Sequence, residues 1–396
     1  MKLISIRQFL VSTVSVAILA TPAMAFDGQD LLNKINAAYK LQGLELVVKS
    51  VDVDGDSVTM SEAGIVYSDE SQSVIPLGDI TLDGVTSKDG GYHIESIAFE
   101  DIDFADGETR ILATDLAMEN VIVPAYATAA TIDGMLFYEN ASASNIEFFA
   151  GDTSFLTIDS VTASMNRDDA AGKLTGRVNL SDFSIDVSDI EDPASAETLN
   201  KLQMEIINGS FTAGGSWNTK TGELDIEDIK LSLVNIGTLS ASFSITGYTM
   251  QFVEGLQQVA KEQAENASNP DAAAMAGLSM LGLAEALGIK GALIRFEDDS
   301  ITERLISYMA ETQGVSSTEF KTMLKAIVPM YVSQLGAPNL QQAIVKAVNI
   351  YLDNPETFSI AAKPQAPVTS TEILGAALGN PASLADVLGV SVEANN

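Results

Sequence analysis

The chain has 396 residues, with 54 acidic side chains against 21 Lys and Arg, a single His and no Cys. The absence of Cys excludes a disulfide framework, thiol catalysis and cysteine-ligated zinc. A formal charge of -33 repels nucleic acid and anionic lipid surfaces, so we expect no nucleic-acid partner. Apolar residues make up 46% of the chain, which is ordinary globular usage and predicts a folded core.

Residues 1–25 have the pattern of a cleaved signal peptide. Lys2 and Arg7 form a basic start, residues 9–20 carry no charge, and Ala23 and Ala25 are small residues at the positions that a signal peptidase reads. The apolar run is shorter than the roughly 20 residues that span a bilayer. We therefore predict export, cleavage before Phe26, and no stable membrane span in the mature chain.

Residues 26–250 predict a strand-rich region with one helix at its start. Asp27 to Leu41 places apolar residues at helical spacing. After it, apolar and polar residues alternate in short runs separated by Gly, Asp and Asn, which is typical of half-buried strands. About a dozen strands are expected: 44–53, 57–60, 78–85, 92–104, 110–123, 131–138, 144–149, 155–165, 172–187, 210–217 and at least two within 222–248.

A tetrad of an apolar residue, an acid, a small or polar residue and another apolar residue recurs in this region. We interpret each copy as a bend or bulge, with the acid facing water. Their irregular spacing argues against a solenoid. The copies begin at Leu82, Ile94, Phe99, Met118, Ile132, Ile158 and Ile226.

After about residue 250 the pattern becomes helical. We predict a mainly helical region over 251–353, with one strand at Ile289–Glu297, and a Pro-containing C-terminal segment over 354–396. The predicted fold is α+β: a long curved antiparallel sheet of about a dozen strands, followed by a helical C-terminal half that packs on it. The predicted helices are 249–266, 271–287, 300–313, 316–335 and 339–352, with short helical turns at 371–379 and 383–388.

The sequence gives little support for a catalytic or metal site. The acids of Asp52–Asp56 lack the Gly and Glu of a calcium loop, and Asp54-Gly55 favours a hairpin turn instead. His93 is the single imidazole that a Ser-His-acid triad could use, and it lies in a predicted strand. Gly277–Leu281 ends in Leu where a nucleophile elbow requires Gly. We expect no enzyme activity, no cofactor and no metal site.

The Met- and Leu-rich helix from Ala272 to Leu287 has two interpretations. It is a buried core helix on the sheet, or its Met side chains adapt to a hydrophobic ligand. Both interpretations place it over the apolar face of the sheet. The candidate ligand-binding residues of this apolar cover are Met275, Leu278, Met280, Leu281 and Leu283.

Val74–Leu82 and Leu224–Leu233 resemble the strand texture of AsmA-like envelope proteins of Gram-negative bacteria, and Leu293–Leu305 is similar to C-terminal regions of uncharacterised alphaproteobacterial periplasmic proteins. The resemblance implies a periplasmic location and a role in outer-membrane lipid traffic. AsmA-like proteins usually keep an N-terminal membrane anchor, whereas this chain has a predicted cleaved leader. The resemblance assigns no residue a role.

We therefore expect a non-enzymatic periplasmic protein that binds or carries lipid or another hydrophobic ligand in envelope maintenance. The alternative is a secreted acidic structural or adhesive module with weak calcium binding.

Overall fold

The computed structural model describes residues 26–67, 74–128, 130–190, 192–265 and 270–396; the predicted signal peptide lies outside them. The described helices are α1 (Gly28–Lys40), α2 (Pro193–Leu202), α3 (Met250–Glu265), α4 (Pro270–Ala284), α5 (Ile301–Gln313), α6 (Ser317–Val332), α7 (Pro338–Asp353), α8 (Ser370–Gly379) and α9 (Leu384–Val387). The described strands are β1 (Leu44–Val47), β2 (Ser50–Asp54), β3 (Ser57–Tyr67), β4 (Val74–Asp83), β5 (Thr86–Lys88), β6 (Gly91–Phe99), β7 (Ile102–Asp106), β8 (Thr109–Val123), β9 (Asn140–Ala150), β10 (Thr153–Asp168), β11 (Lys173–Asp186), β12 (Ile206–Asn218), β13 (Glu223–Leu233), β14 (Gly237–Thr246), β15 (Gly288–Asp298), β16 (Thr357–Ala362), β17 (Val368–Thr369) and β18 (Val390–Ala394).

These strands form one 18-stranded antiparallel sheet. Strands β1 and β2 pair with the same side of β3, and the sheet then continues through β4, β6 and β8 to β9. From β9 to β16 each strand pairs with the next one in the chain, and β18 follows β16. The short strands β5, β7 and β17 pair beside β6, β8 and β15.

The predicted arrangement of about a dozen strands followed by a helical half is therefore wrong. Strand β15 pairs with β14 along its length, and β16 and β18 extend the same sheet, so the sheet crosses the expected boundary at residue 250. Helices α1 and α2 precede that boundary, and the others lie in groups of two or three between strands. The physical reason is that β14 leaves an unpaired backbone edge, and β15 satisfies its hydrogen-bonding groups.

Helix α1 covers the first part of the sheet. Asp27 caps the helix by accepting hydrogen bonds from the backbone N–H groups of Gln29 and Asp30. Leu31, which is fully buried, packs with Ile35 against apolar residues of β3 to β8. This core contains a cavity of about 40 Å³, which is too small for a hydrocarbon ligand, so the region is a packed core.

The recurring tetrads fulfil their predicted role at several places. Ile226 and Ile229 pair with Phe243 and Ala241, across a register shift in β13. Because Phe243 and Ala241 are two residues apart, they share one face of β14, and both isoleucines lie on that same face. The tetrad beginning at Ile132 is different, since it contributes a short 3-10 helix where a strand over 131–138 was expected.

The hairpin predicted at Asp54-Gly55 is confirmed, one residue further along. Asp54 pairs with Ser57, so Gly55 and Asp56 form the turn, and Gly55 has a φ of +66°, which glycine adopts without strain. The acids of the failed calcium loop are therefore hairpin residues.

Candidate functional site: the open apolar face

The strand register collects the apolar side chains of β9 to β16 on one face of the sheet. Cross-strand partners lie on the same face, and the pairs connect Ile158 to Phe183, Leu180 to Phe211, and Leu231 to Leu239. We call this surface the open face. Its larger apolar side chains are Ile146, Phe148, Leu156, Ile158, Val161, Met165, Leu174, Val178, Leu180, Phe183, Ile185, Ile207, Phe211, Trp217, Leu224, Ile226, Ile229, Leu231, Leu233, Leu239, Phe243, Ile245, Ile289, Ile294, Phe296, Phe358 and Ile360.

These side chains are only partly shielded from solvent. On the open face, Phe183 is the one buried apolar side chain. Leu239, Ile294 and Ile360 are 44%, 55% and 46% exposed, and they lie on three neighbouring strands. A contiguous exposed apolar surface of this kind is uncommon on a soluble fold and marks an interaction site.

The other face of the same strands is polar. Ser164 pairs with Arg177, and Ser240 pairs with both Lys230 and Arg295. We call it the polar face. The strands thus separate most of their apolar and polar residues by face, with the bulges keeping the two sets apart where strict alternation fails.

Helices contact the apolar side of the sheet at its two ends. Helix α1 packs on β1 to β8. At the other end, α7 packs on β18, where Val392 is buried, and the rings of Tyr351 and Phe358 meet edge to face at 5.5 Å. Between these contacts lies the open face.

An aromatic group marks one margin of the open face. Trp217 lies edge to face against Tyr248, with ring centroids 5.6 Å apart, and its indole N–H donates to the Tyr248 carbonyl at 2.5 Å. Tyr248 also packs against Phe252 of α3, at 5.1 Å. The rings connect the end of β12 to the start of α3 and hold that helix at the margin.

The predicted apolar cover is not buried. Helix α4 packs on α3, where Leu283 lies over Gly255. Met275 and Leu278 are 65% and 64% exposed, and Met280 and Leu281 are exposed as well. The interpretation of α4 as a core helix is therefore wrong. Its apolar residues are spread around the helix, so contact with α3 alone leaves most of them in solvent.

The other candidates from the sequence do not assemble into a site. The His93 side chain, on β6, has no hydrogen-bond partner among the described residues, and Ser279 is an exposed residue of α4. Across the described ranges, no group of three or more His, Asp or Glu residues could hold a metal ion. The carboxyl groups of Asp192, Glu319 and Glu372 have lowered pKa values because each accepts hydrogen bonds at a helix start, which is a structural role.

The sequence predicted an apolar face but did not reveal that much of it is uncovered. The alternation shows which residues share a face, whereas coverage depends on where distant helices pack. The sequence did contain one usable signal. Helices α4 and α8 place few large apolar residues at regular helical spacing, and helices without a continuous apolar face cannot cover a sheet of this size.

Among the described residues, no helix has both the length and the apolar character required to cross a membrane.

A protein family described only as "Uncharacterized protein" matches residues 230–395. No curated protein matches the chain. The matched part begins within β13 and includes the strands of the open face from β14 to β16, together with α3 to α9.

Proposed function

We propose that this protein is an exported, non-enzymatic carrier that binds acyl chains or other hydrophobic ligands on its open face, in maintenance of the Gram-negative envelope. The observation that carries the proposal is the continuous apolar surface of β9 to β16, most of which no other part of the described chain buries. Surfaces of this type gain free energy when a ligand removes them from water.

The size of the open face suits a lipid chain. Eight neighbouring strands at a spacing of about 4.8 Å extend roughly 34 Å across the sheet. One leaflet contributes about half of a hydrocarbon core of roughly 30 Å. An acyl chain therefore fits across the strands, and each methylene that it buries contributes about 0.8 kcal/mol.

Export is supported at the other end of the chain. The ring of Phe26, the first residue after the predicted cleavage point, packs edge to face against Tyr92 at 6.0 Å, and Asp27 caps α1. The mature protein would then begin directly with residues of its folded core. N-terminal sequencing of the protein recovered from the periplasm tests this part, and a chain that still begins with Met1 contradicts it.

The carrier proposal predicts that polar substitutions on the open face weaken binding of a hydrophobic probe. The test variant combines Leu239→Ser, Ile294→Ser and Ile360→Ser. We expect binding of pyrene-labelled phosphatidylcholine, followed by fluorescence titration, to weaken by about tenfold or more, because three apolar contacts are lost.

The matched control combines Met330→Ser with Leu335→Ser, which changes exposed apolar residues near the end of α6, 62% and 48% exposed. The control should bind the probe like the parent protein. Circular dichroism confirms that both variants are folded. Equal binding by the test variant and the parent, or no saturable binding by the parent, contradicts carriage on this face.

A further inference from the structure

The polar face contains a cleft that the carrier proposal does not use. The loop that contains Tyr126, the β5–β6 turn and the β10–β11 turn enclose a space of about 690 Å³. A second depression, of about 610 Å³, continues along the polar face towards β13. Glu139 and Asn166 line both spaces, so we treat them as one feature and call it the polar cleft.

One end of the polar cleft presents an aromatic ring. Tyr126 lines the first space, and it is 87% exposed, so its ring adds little to the packing of the fold. A tyrosine held at the mouth of a cleft offers a flat apolar surface together with a hydroxyl group. It can therefore stack on a ligand.

The cleft also contains polar side chains with unused hydrogen-bonding capacity. Lys88, Asn166 and Lys173 line it, and within the described ranges their side chains have no hydrogen-bond or salt-bridge partner. An ammonium group supplies three donors, and an amide supplies two donors and an acceptor. These three residues can therefore contact a ligand without giving up existing bonds.

The two arginines of the cleft are paired with carboxylates, and these pairs hold its walls in place. The guanidinium group of Arg167 bridges Asp133 and Asp169, which connects the loop after β8 to the β10–β11 turn. Further along, Arg177 donates to Asp228 at 2.7 Å. Six carboxylates against four basic groups line the cleft, so an anionic polymer is disfavoured.

These features define the chemistry of the ligand. The charged and amide groups of the lining disfavour a purely hydrocarbon ligand, and the carboxylates disfavour strong anions. A sugar ring has an apolar C–H face that packs on an aromatic ring, and hydroxyl groups that donate to carboxylates and accept from ammonium and amide groups. The volume of each of its two spaces lies within the range of about 300–1,000 Å³ for small-molecule sites.

We propose that the polar cleft binds a neutral oligosaccharide, with Tyr126 stacking on one sugar ring and with Asn166 and Lys173 donating hydrogen bonds to its hydroxyl groups. This site lies on the face opposite the proposed hydrophobic ligand, and it does not depend on the carrier function.

The experiment measures binding of two uncharged probes, chitotetraose and maltotetraose, by isothermal titration calorimetry with the full mature chain. We expect saturable binding of at least one probe at about 1 mM or below. Tyr126→Ala and Asn166→Ala should each weaken that binding by about tenfold.

Tyr331→Ala is the matched control, because Tyr331 is a 67% exposed tyrosine of α6 outside the cleft; it should bind like the parent protein. Circular dichroism shows whether the Tyr126→Ala and Asn166→Ala variants are folded. The proposal is overturned if neither tetrasaccharide binds, or if the cleft variants bind like the control.

Discussion

Tyr92 connects the first helix to the sheet through its hydroxyl group. It donates to the Asp30 carboxylate at 2.7 Å, while its ring packs against Phe26. Burial, followed by the hydrogen bond to Asp30, raises the pKa of Tyr92 from 10.0 to about 12. Conversely, hydrogen bonds from Lys34 and Tyr92 lower the pKa of Asp30. The pair is therefore most stable with a neutral Tyr92 and an ionised Asp30.

We predict that Tyr92→Phe lowers the free energy of unfolding by about 1–2 kcal/mol at neutral pH, because Asp30 loses a donor. Since the folded-state pKa of Tyr92 exceeds its unfolded value, its contribution is fully present below pH 10 and is lost as the pH rises through about 12. Urea unfolding between pH 7 and 12 should therefore show a smaller loss of stability for the variant than for the parent. Tyr331→Phe, at an exposed site, is the control, and identical pH profiles for the two variants would contradict this role.

At the scale of elements, the tetrads join strands whose side chains pack closely at the bend. Gly84, the third residue of its tetrad, has a φ of +66°. A Cβ there would approach Glu95 Cγ to 2.5 Å, so Gly84 permits both the backbone angle and the contact between the end of β4 and β6.

Gly84→Ala should destabilise the protein more than Gly107→Ala does. Gly107 has a similar φ, +62°, but a Cβ there meets nothing within 4 Å, so it reports the backbone strain alone, about 1 kcal/mol. We expect Gly84→Ala to add roughly 1–2 kcal/mol for the contact. Chemical denaturation measures both variants, and equal losses would show that the bend tolerates a side chain.

Which elements could be predicted depended on how local their signals are. Helix α6 was predicted well because Ser316 and Glu319 form a capping box. Helix α2 was missed, although Asp192 and Pro193 give it a helix start, because it is a short helix within a region of strand-like alternation. Strands β16 and β18 were not predicted, because they have only six and five residues in a segment that contains prolines. They form strands by extending the sheet from its edge at β15, which is distant in the chain. The exposure of the open face and the unpaired side chains of the polar cleft are tertiary properties with no local signal.

At the scale of the whole molecule, one buried cluster lies at each end of the sheet, and among the described residues strands β9 to β16 form no third cluster. The larger includes Leu31 under α1, and the smaller joins Ile306, Ala310, Phe320 and Leu352 of α5 to α7. The strands between them are held by pairing with neighbouring strands, so each part of the sheet depends mainly on what lies beside it. Such an arrangement favours separate unfolding units, as in repeat proteins, where each unit contacts only its neighbours along the chain.

Substitutions in the two clusters should therefore act on different parts of the chain. Leu31→Ala removes a fully buried side chain of the first cluster, and Phe320→Ala removes a 3% exposed one of the second; each should destabilise its own cluster by about 2–5 kcal/mol. In hydrogen exchange followed by mass spectrometry, Leu31→Ala should accelerate exchange in β3 to β8 and leave α5 to α7 unchanged, whereas Phe320→Ala should do the reverse. If either variant accelerates exchange to the same extent in both clusters, the sheet transmits stability along its whole length. The molecule would then unfold as a single unit, with the open face as part of it.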